Sequence, residues 1–208
     1  MEQQFQYYAF ISYKREDEKW AKWLQDRLRW YKLPSKLCRQ ITRLPKKVWP
    51  VFRDNTDLDS GRLEENIRHE LERSHYLIVI CSPEAARSPW VGKEVKYFAT
   101  LHGADKIIPF VVSGIPYSND IETECIHEQI KAISQEELLA INVREEGIGS
   151  FAMKKKRAFI RVVARLLDIK FNTLWQPYER ILRIRKWSTG IGCLLYTSPS
   201  PRDYAASR

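Results

Sequence analysis

The chain has 208 residues, which is enough for one ordinary domain with an additional segment, and its hydrophobic content of 44% is normal for a globular core. The net charge of +9 is local, because eleven basic and two acidic residues between positions 154 and 187 account for the whole excess. The rest of the chain is electrically balanced. This distribution argues against a nucleic-acid-binding face on the main domain, and we expect no nucleic acid partner.

The first half of the chain alternates between β-rich runs and an amphipathic pattern. In chain order we predict a strand at Tyr7–Tyr13, a helix at Glu16–Tyr31, an irregular basic connection at Leu37–Lys47, a strand at Val48–Arg53, a polar loop at Asp54–Gly61, a helix at Glu64–Ser74 and a strand at Tyr76–Cys81. The last strand is apolar throughout, which indicates a central parallel strand covered on both faces.

The second half continues the same alternation. We predict a helix at Pro89–His102, a strand at Lys106–Val112, a turn-rich segment at Gly114–Lys131, a short edge strand at Leu138–Val143 and a basic amphipathic helix at Met153–Leu167. Strands that alternate with helices predict an α/β fold with a doubly wound parallel sheet. By this pattern the domain covers about residues 5 to 168.

The remaining segment has two parts. Residues 169–192 form a basic linker that turns apolar after Trp187, but the apolar run ends after roughly nine residues, whereas a membrane span needs about 20. A basic cluster before an apolar run is typical of the cytosolic flank of a span. We expect the natural protein to continue, with attachment at the cytosolic face of a membrane as a candidate arrangement. Residues 193–208 resemble translated sequencing-adapter read-through and are predicted to be non-native.

The cysteines and histidines show no metal-ligand spacing. Cys38, Cys81, Cys125 and Cys193 are scattered, with no Cys-x-x-Cys pattern, so we expect no metal site. The four histidines are expected to be structural or on the surface. The N-terminus lacks the apolar run of a signal peptide, which favours a reduced, cytoplasmic chain.

One carboxylate stands at a position where ligands often bind. Glu94 lies one helical turn after Trp90, so the two share a helix face just beyond the strand at Tyr76–Cys81. Open α/β sheets bind ligands at the carboxyl ends of their strands. Phe10–Arg15 and Val51–Asp54 also end predicted strands, and we expect them to converge on the same crevice.

These motifs together resemble those of a bacterial TIR (Toll/interleukin-1 receptor) domain. The resemblance rests on Phe10-Ile-Ser-Tyr13, on Val51-Phe-Arg-Asp54, and on Ser82-Pro followed by Trp90-Val-Gly-Lys-Glu94. It implies a flavodoxin-like fold with five parallel strands in the order 2-1-3-4-5 and helices on both faces, which agrees with the pattern above.

The resemblance also implies an enzyme. Catalytic members of the family are NAD+ glycohydrolases, in which the Trp-x-x-x-Glu helix supplies the catalytic carboxylate, here Glu94. One carboxylate suffices because nicotinamide leaves as a neutral group, unlike the poor leaving oxygen of a glycoside. NAD+ would be the substrate, with no cofactor. An isolated helix glutamate is usually only solvated, but the motif around Glu94 favours catalysis.

Six further residues are candidate substrate contacts: Tyr13, Lys14, Arg15, Phe52, Arg53 and Trp90. Lys14 or Arg15 would meet the phosphates while Tyr13 stacks on a ring, or the three form a solvated loop. Phe52 and Arg53 would line the entrance, although Phe52 fits a plain core position equally well. Trp90 either walls the ribose or nicotinamide or is a core-edge aromatic. No glycine-rich loop follows the first strand, which excludes a Rossmann dinucleotide grip.

The acidic loop corresponds to the family's BB loop. Its predicted interaction residues are Asp54, Asp57, Asp59 and Gly61. A calcium site is unfavourable because Leu58 occupies the fifth position of an EF-hand frame starting at Asp54, and the sixth position is not a glycine. The resemblance implies self-association with other TIR domains, in which the loop of one copy completes the site of the next.

Two other functions compete with the enzyme. The chain could be a non-catalytic TIR scaffold in signal transduction, but such adaptors often lack the glutamate at the position of Glu94. A phospho-acceptor receiver domain would need paired acids after the first strand and an aspartate at the end of the third. Tyr13-Lys14 and Cys81-Ser82 stand there instead, so that reading fails. The favoured role is NAD+ cleavage, with or without cyclisation of the product, in bacterial defence or stress signalling.

Overall fold

Five parallel strands form one sheet in the order β2-β1-β3-β4-β5 in the computed structural model, which describes residues 5–41, 44–45, 47–53, 61–133, 139–144 and 149–176. The strands are β1 (Tyr7–Ser12), β2 (Val51–Arg53), β3 (Ser74–Cys81), β4 (Ile107–Val111) and β5 (Ile141–Asn142). This is the predicted flavodoxin-like order. The fold prediction is therefore confirmed.

The helices connect these strands. They are α1 (Glu18–Trp30), α2 (Ser35–Gln40), α3 (Gly61–Glu72), α4 (Pro83–Ala86), α5 (Pro89–His102), α6 (Glu128–Ile133) and α7 (Phe151–Leu166). The prediction for α5 agrees at both ends, and those for α1, α3 and α7 agree within a few residues. The short helices α2, α4 and α6 were not predicted. Each has four to six residues and buries one apolar side chain, Leu37 in α2, Ala85 in α4 and Ile130 in α6, so none shows a helical repeat.

The centre of the sheet is buried as its composition predicts. From Tyr76 to Cys81, every residue of β3 is buried, as expected for a strand covered on both faces. Burial raises the pKa of the Cys81 thiol well above its ordinary value, and that of Cys125 to about 12. Both are free thiols, and at neutral pH they act as small apolar side chains.

The chain divides into two compact units, Met1–Ile169 and Lys170–Arg208. In the second, residues 171–176 are helical, and Phe171 stacks on Trp175 with ring centroids 5.6 Å apart. The expectations for a linker and a non-native tail concern mostly residues from 177 onward, which lie outside the described residues, and they stay predictions. No helix among the described residues has the length and apolarity to cross a bilayer.

Candidate active site

The sheet order creates a crevice between two neighbouring strands. β1 and β3 pair in parallel, with Ser12 opposite Val79. The chain leaves β1 towards β2 on one side and leaves β3 towards β4 on the other. The two connections diverge at the carboxyl ends of these strands, and this is where ligands bind in open α/β sheets.

Glu94 reaches this crevice from α5. Its carboxylate oxygen Oε2 accepts a hydrogen bond from the hydroxyl of Ser12, the last residue of β1. Ser12 is 1% exposed, and Glu94 is half-buried. Phe10 and Ser12 are two residues apart on a strand, so both point to the face that α5 covers. The Glu94 carboxylate is therefore held by a hydrogen bond at the end of β1.

A pocket of about 290 Å³ opens beside Glu94 between α3 and α5. Its apolar lining comes from Ile67 and Leu71, and its remaining lining residues are Arg68, Trp90, Lys93, Glu94, Lys96, Tyr97 and Thr100. Trp90 and Glu94 face the same space, as their spacing predicts. The ammonium of Lys93 lies 4.8 Å from the centroid of the Trp90 ring, and Trp90 is 42% exposed. A pocket that combines an aromatic wall, basic groups and one carboxylate suits a ligand that carries both a ring and anionic groups.

A second carboxylate is held in the same crevice. Asp17, in the short 3₁₀ turn after β1, accepts a hydrogen bond of 2.5 Å from the hydroxyl of Ser82, and the same hydroxyl caps α4 by accepting from the Ala85 N–H at 3.1 Å. Burial raises the pKa of Asp17, and the bond from Ser82 opposes this effect. Sequence reasoning missed Asp17 because it stands in a run of charged residues that looks solvated.

The Arg53 side chain lies on the face of the sheet that α1 covers. Its guanidinium donates to Gln25 at 3.1 Å, to the Tyr13 hydroxyl at 3.0 Å and to Glu18 at 3.3 Å, and its side chain is 8% exposed. Tyr13 and Arg53 thus come together, as their positions at neighbouring strand ends predict. Their contacts do not test binding to a substrate, which stays a prediction, as it does for the half-buried Lys14 and the exposed Arg15.

Phe52 lies on the opposite side of the sheet from Arg53. Its ring stacks on Phe10 with centroids 5.2 Å apart and meets Tyr7 edge-on at 5.3 Å. It packs against the core beneath α3 and α5, so the plain core alternative describes its surroundings. Of the six predicted substrate contacts, Trp90 lines the pocket with Glu94.

Most of the predicted interaction loop lies outside the residues that the structure describes. Asp54, Asp57 and Asp59 fall outside the described residues, and Gly61 is the first residue of α3. Their role in self-association stays a prediction.

His127 packs against the first turn of α5, on the side of that helix that faces α6. Its ring packs against Gly92, its Nδ1 accepts from the Gln129 N–H at 3.0 Å, and the backbone of Ser88 accepts a hydrogen bond from it. It is 7% exposed. A wider cleft of about 630 Å³ between α5 and α6 begins there. The histidines were predicted to be structural or on the surface, and His127 is structural.

His127 makes stability depend on pH. Burial lowers its pKa below 6.5, so the unfolded chain binds the proton more readily and the free energy of unfolding falls as the pH drops below about 6.5. Burial lowers the pKa of His75 and His102 as well, in the same direction. We expect His127→Asn, whose amide oxygen can replace Nδ1 as the acceptor, to weaken this dependence. Denaturant titrations of both proteins between pH 5 and 8 measure it, and equal slopes would contradict the prediction.

The chain is similar to known proteins in sequence and in fold. The curated NAD(+) hydrolase ApTIR of Actinoplanes sp. is 36% identical over 110 residues, which are 52% of this chain and 14% of that protein. A solved structure of the TIR domains of the activated Roq1 resistosome, which directly recognizes the pathogen effector XopQ, has a TM-score of 0.48 and 14% identity, covering 74% of this chain and 98% of that chain. The family model described as "TIR domain" matches residues 9–146, well over half of the chain. The chain therefore belongs to the TIR domain family.

Proposed function

We propose that this chain is an NAD+ glycohydrolase that cleaves the bond between nicotinamide and ribose, with Glu94 as the catalytic carboxylate and no cofactor. The observation that carries the proposal is Glu94 itself, half-buried, bonded to Ser12 and open to a pocket walled by Trp90. The similarity to a relative named an NAD(+) hydrolase supports it. That match spans a small part of the relative, so the proposal concerns this domain.

The chemistry needs one negative group. The bond from the ribose anomeric carbon to the pyridinium nitrogen breaks, and its electron pair stays on nicotinamide, which leaves neutral. Water adds to the anomeric carbon and releases a proton, giving ADP-ribose. Glu94 stabilises the positive charge that develops on the ribose in the oxocarbenium-like transition state. If a group of ADP-ribose itself replaces the water, a cyclic isomer forms instead.

The basic side chains of the pocket suit the rest of the substrate. Arg68, Lys93 and Lys96 line the space beside Glu94, where they would meet the diphosphate, while Trp90 contacts a ring. Tyr13, Lys14, Arg15, Phe52 and Arg53 remain the further proposed contacts.

We also propose that activity depends on self-association through the segment of Asp54, Asp57, Asp59 and Gly61, in bacterial defence or stress signalling. Clustering raises the effective concentration of neighbouring domains. The second candidate function is a TIR scaffold that has no catalytic activity. Membership of the TIR domain family is equally compatible with this function. In either case the proposed setting is the cytoplasm, with membrane attachment of a longer protein as an option.

The deciding experiment measures nicotinamide release from NAD+ by the purified full chain, in dilute solution and tethered by an affinity tag to lipid vesicles, with products separated by chromatography. We expect release that rises on tethering, and the second product peak identifies ADP-ribose or its cyclic isomer. The matched pair of variants is Glu94→Gln and Glu65→Gln, since Glu65 is an exposed glutamate on α3. No release by a folded, tethered wild type would favour the scaffold.

A further inference from the structure

A strand residue paired on both sides donates a hydrogen bond to the Glu94 carboxylate. Ser12 ends β1, a strand paired on one side with β2 and on the other with β3. The residue is 1% exposed, so water does not compete for its hydroxyl. That hydroxyl donates to Oε2 of Glu94, which lies 82 residues further along the chain.

From this contact we infer that Ser12 is a positioning residue for catalysis, one that fixes the orientation of the Glu94 carboxylate and favours its ionised form. The inference rests on the proposed function. A glutamate side chain rotates about three bonds, and a catalytic group must be held within a fraction of an ångström to act efficiently. A hydroxyl that donates to a carboxylate stabilises the charged form over the acid. Ser12 supplies both effects without meeting the substrate itself.

The crevice contains a matched control. Ser82 makes the same kind of bond, from a buried serine hydroxyl to a carboxylate, but its partner is Asp17. Removing the Ser82 hydroxyl also leaves a buried carboxylate without that donor and uncaps α4. A purely structural loss in this crevice would therefore be at least as large in Ser82→Ala as in Ser12→Ala.

The test compares Ser12→Ala, Ser12→Thr, Ser12→Cys and Ser82→Ala with the tethered wild type. The measured quantities are kcat and KM for NAD+ from pH 4.5 to 8.5, and the unfolding midpoint. For Ser12→Ala we expect kcat to fall about tenfold at neutral pH with KM within about twofold. The acid limb of the rate profile should move up by about one pH unit, because a carboxylate that loses its donor is protonated more easily.

The other variants separate positioning from structure. Ser12→Thr keeps a hydroxyl and should restore kcat and the acid limb. If the added methyl group prevents folding, Ser12→Cys tests the role instead. A thiol is similar in size to the hydroxyl but a weak hydrogen-bond donor, so kcat and the acid limb of Ser12→Cys should match those of Ser12→Ala. Ser82→Ala should lower the unfolding midpoint and leave the acid limb where it is.

The outcomes that overturn the inference are distinguishable from those that overturn the proposed function. If the wild type is active, an unchanged pH–rate profile in Ser12→Ala would overturn the positioning role alone. The same shift of the acid limb in Ser82→Ala would also overturn that role alone. A folded, tethered wild type that releases no nicotinamide would overturn the proposed function and the positioning role with it.

Discussion

Replacing Glu94 with glutamine is expected to lower kcat/KM for NAD+ about a thousandfold or more while leaving the fold intact. The amide keeps the size of the carboxylate, and its oxygen can still accept the hydrogen bond from Ser12. It carries no negative charge, so the positive charge that develops on the ribose loses its stabilising partner. A loss of this size corresponds to about 4 kcal/mol of transition-state stabilisation, comparable to removing a central electrostatic group from other active sites.

Nicotinamide release and thermal unfolding, measured on the same preparations, test this expectation. The Glu65→Gln variant should match the wild type in both, because Glu65 is an exposed helix residue of α3. If Glu94→Gln retained most of the wild-type rate, Glu94 would be only a structural partner of Ser12. If instead it unfolded at a much lower temperature, the loss of activity would carry no information about charge.

Gly92→Ala is expected to destabilise the protein by about 2–3 kcal/mol, although replacing glycine with alanine inside a helix usually stabilises it by about 0.5–1 kcal/mol. The reason is the distance to His127. A Cβ on Gly92 would lie 2.5 Å from Cε1 and 2.7 Å from Nε2 of that ring. The ring cannot move away cheaply, because it is buried and its Nδ1 is bonded to the Gln129 N–H. Instead α5 must shift, and Glu94 shifts with it.

Denaturant unfolding of Gly92→Ala, His127→Ala and the double variant measures this clash. The double variant should be more stable than the sum of the two single effects, because alanine at position 127 makes room for the new Cβ. Strict additivity would show that His127 does not limit the space at Gly92. Nicotinamide release should fall in Gly92→Ala and recover in part in the double variant.

The repeating patterns of the sequence predicted the sheet because they are local. The apolar run of β3 and the regular spacing of apolar residues in α1 and α3 are visible within a dozen residues, and the alternation of these elements implies the parallel sheet. α2 and α6 were missed because a six-residue helix with one buried side chain has no repeat to detect.

The site was predictable only in part, because its hydrogen bonds join distant segments. The spacing of Trp90 and Glu94 on one helix face was readable, and both line the pocket. The bonds from Ser12 to Glu94 and from Ser82 to Asp17 span 82 and 65 residues, and no local pattern marks them. Strand alternation was a further readable signal, because adjacent residues of a strand point to opposite faces of the sheet. Phe52 and Arg53 follow it: Phe52 stacks on Phe10, and Arg53 donates to Gln25.

The sequence separation of Ser12 and Glu94 also determines when the site can form during protein synthesis. β1 precedes its partner β3, which begins at Ser74, and the carboxylate follows at position 94. A nascent chain, or a fragment, that ends before α5 has the serine without the acid, so the proposed site cannot form in it. The proposed cleavage of NAD+ would therefore be withheld from incomplete translation products that lack α5.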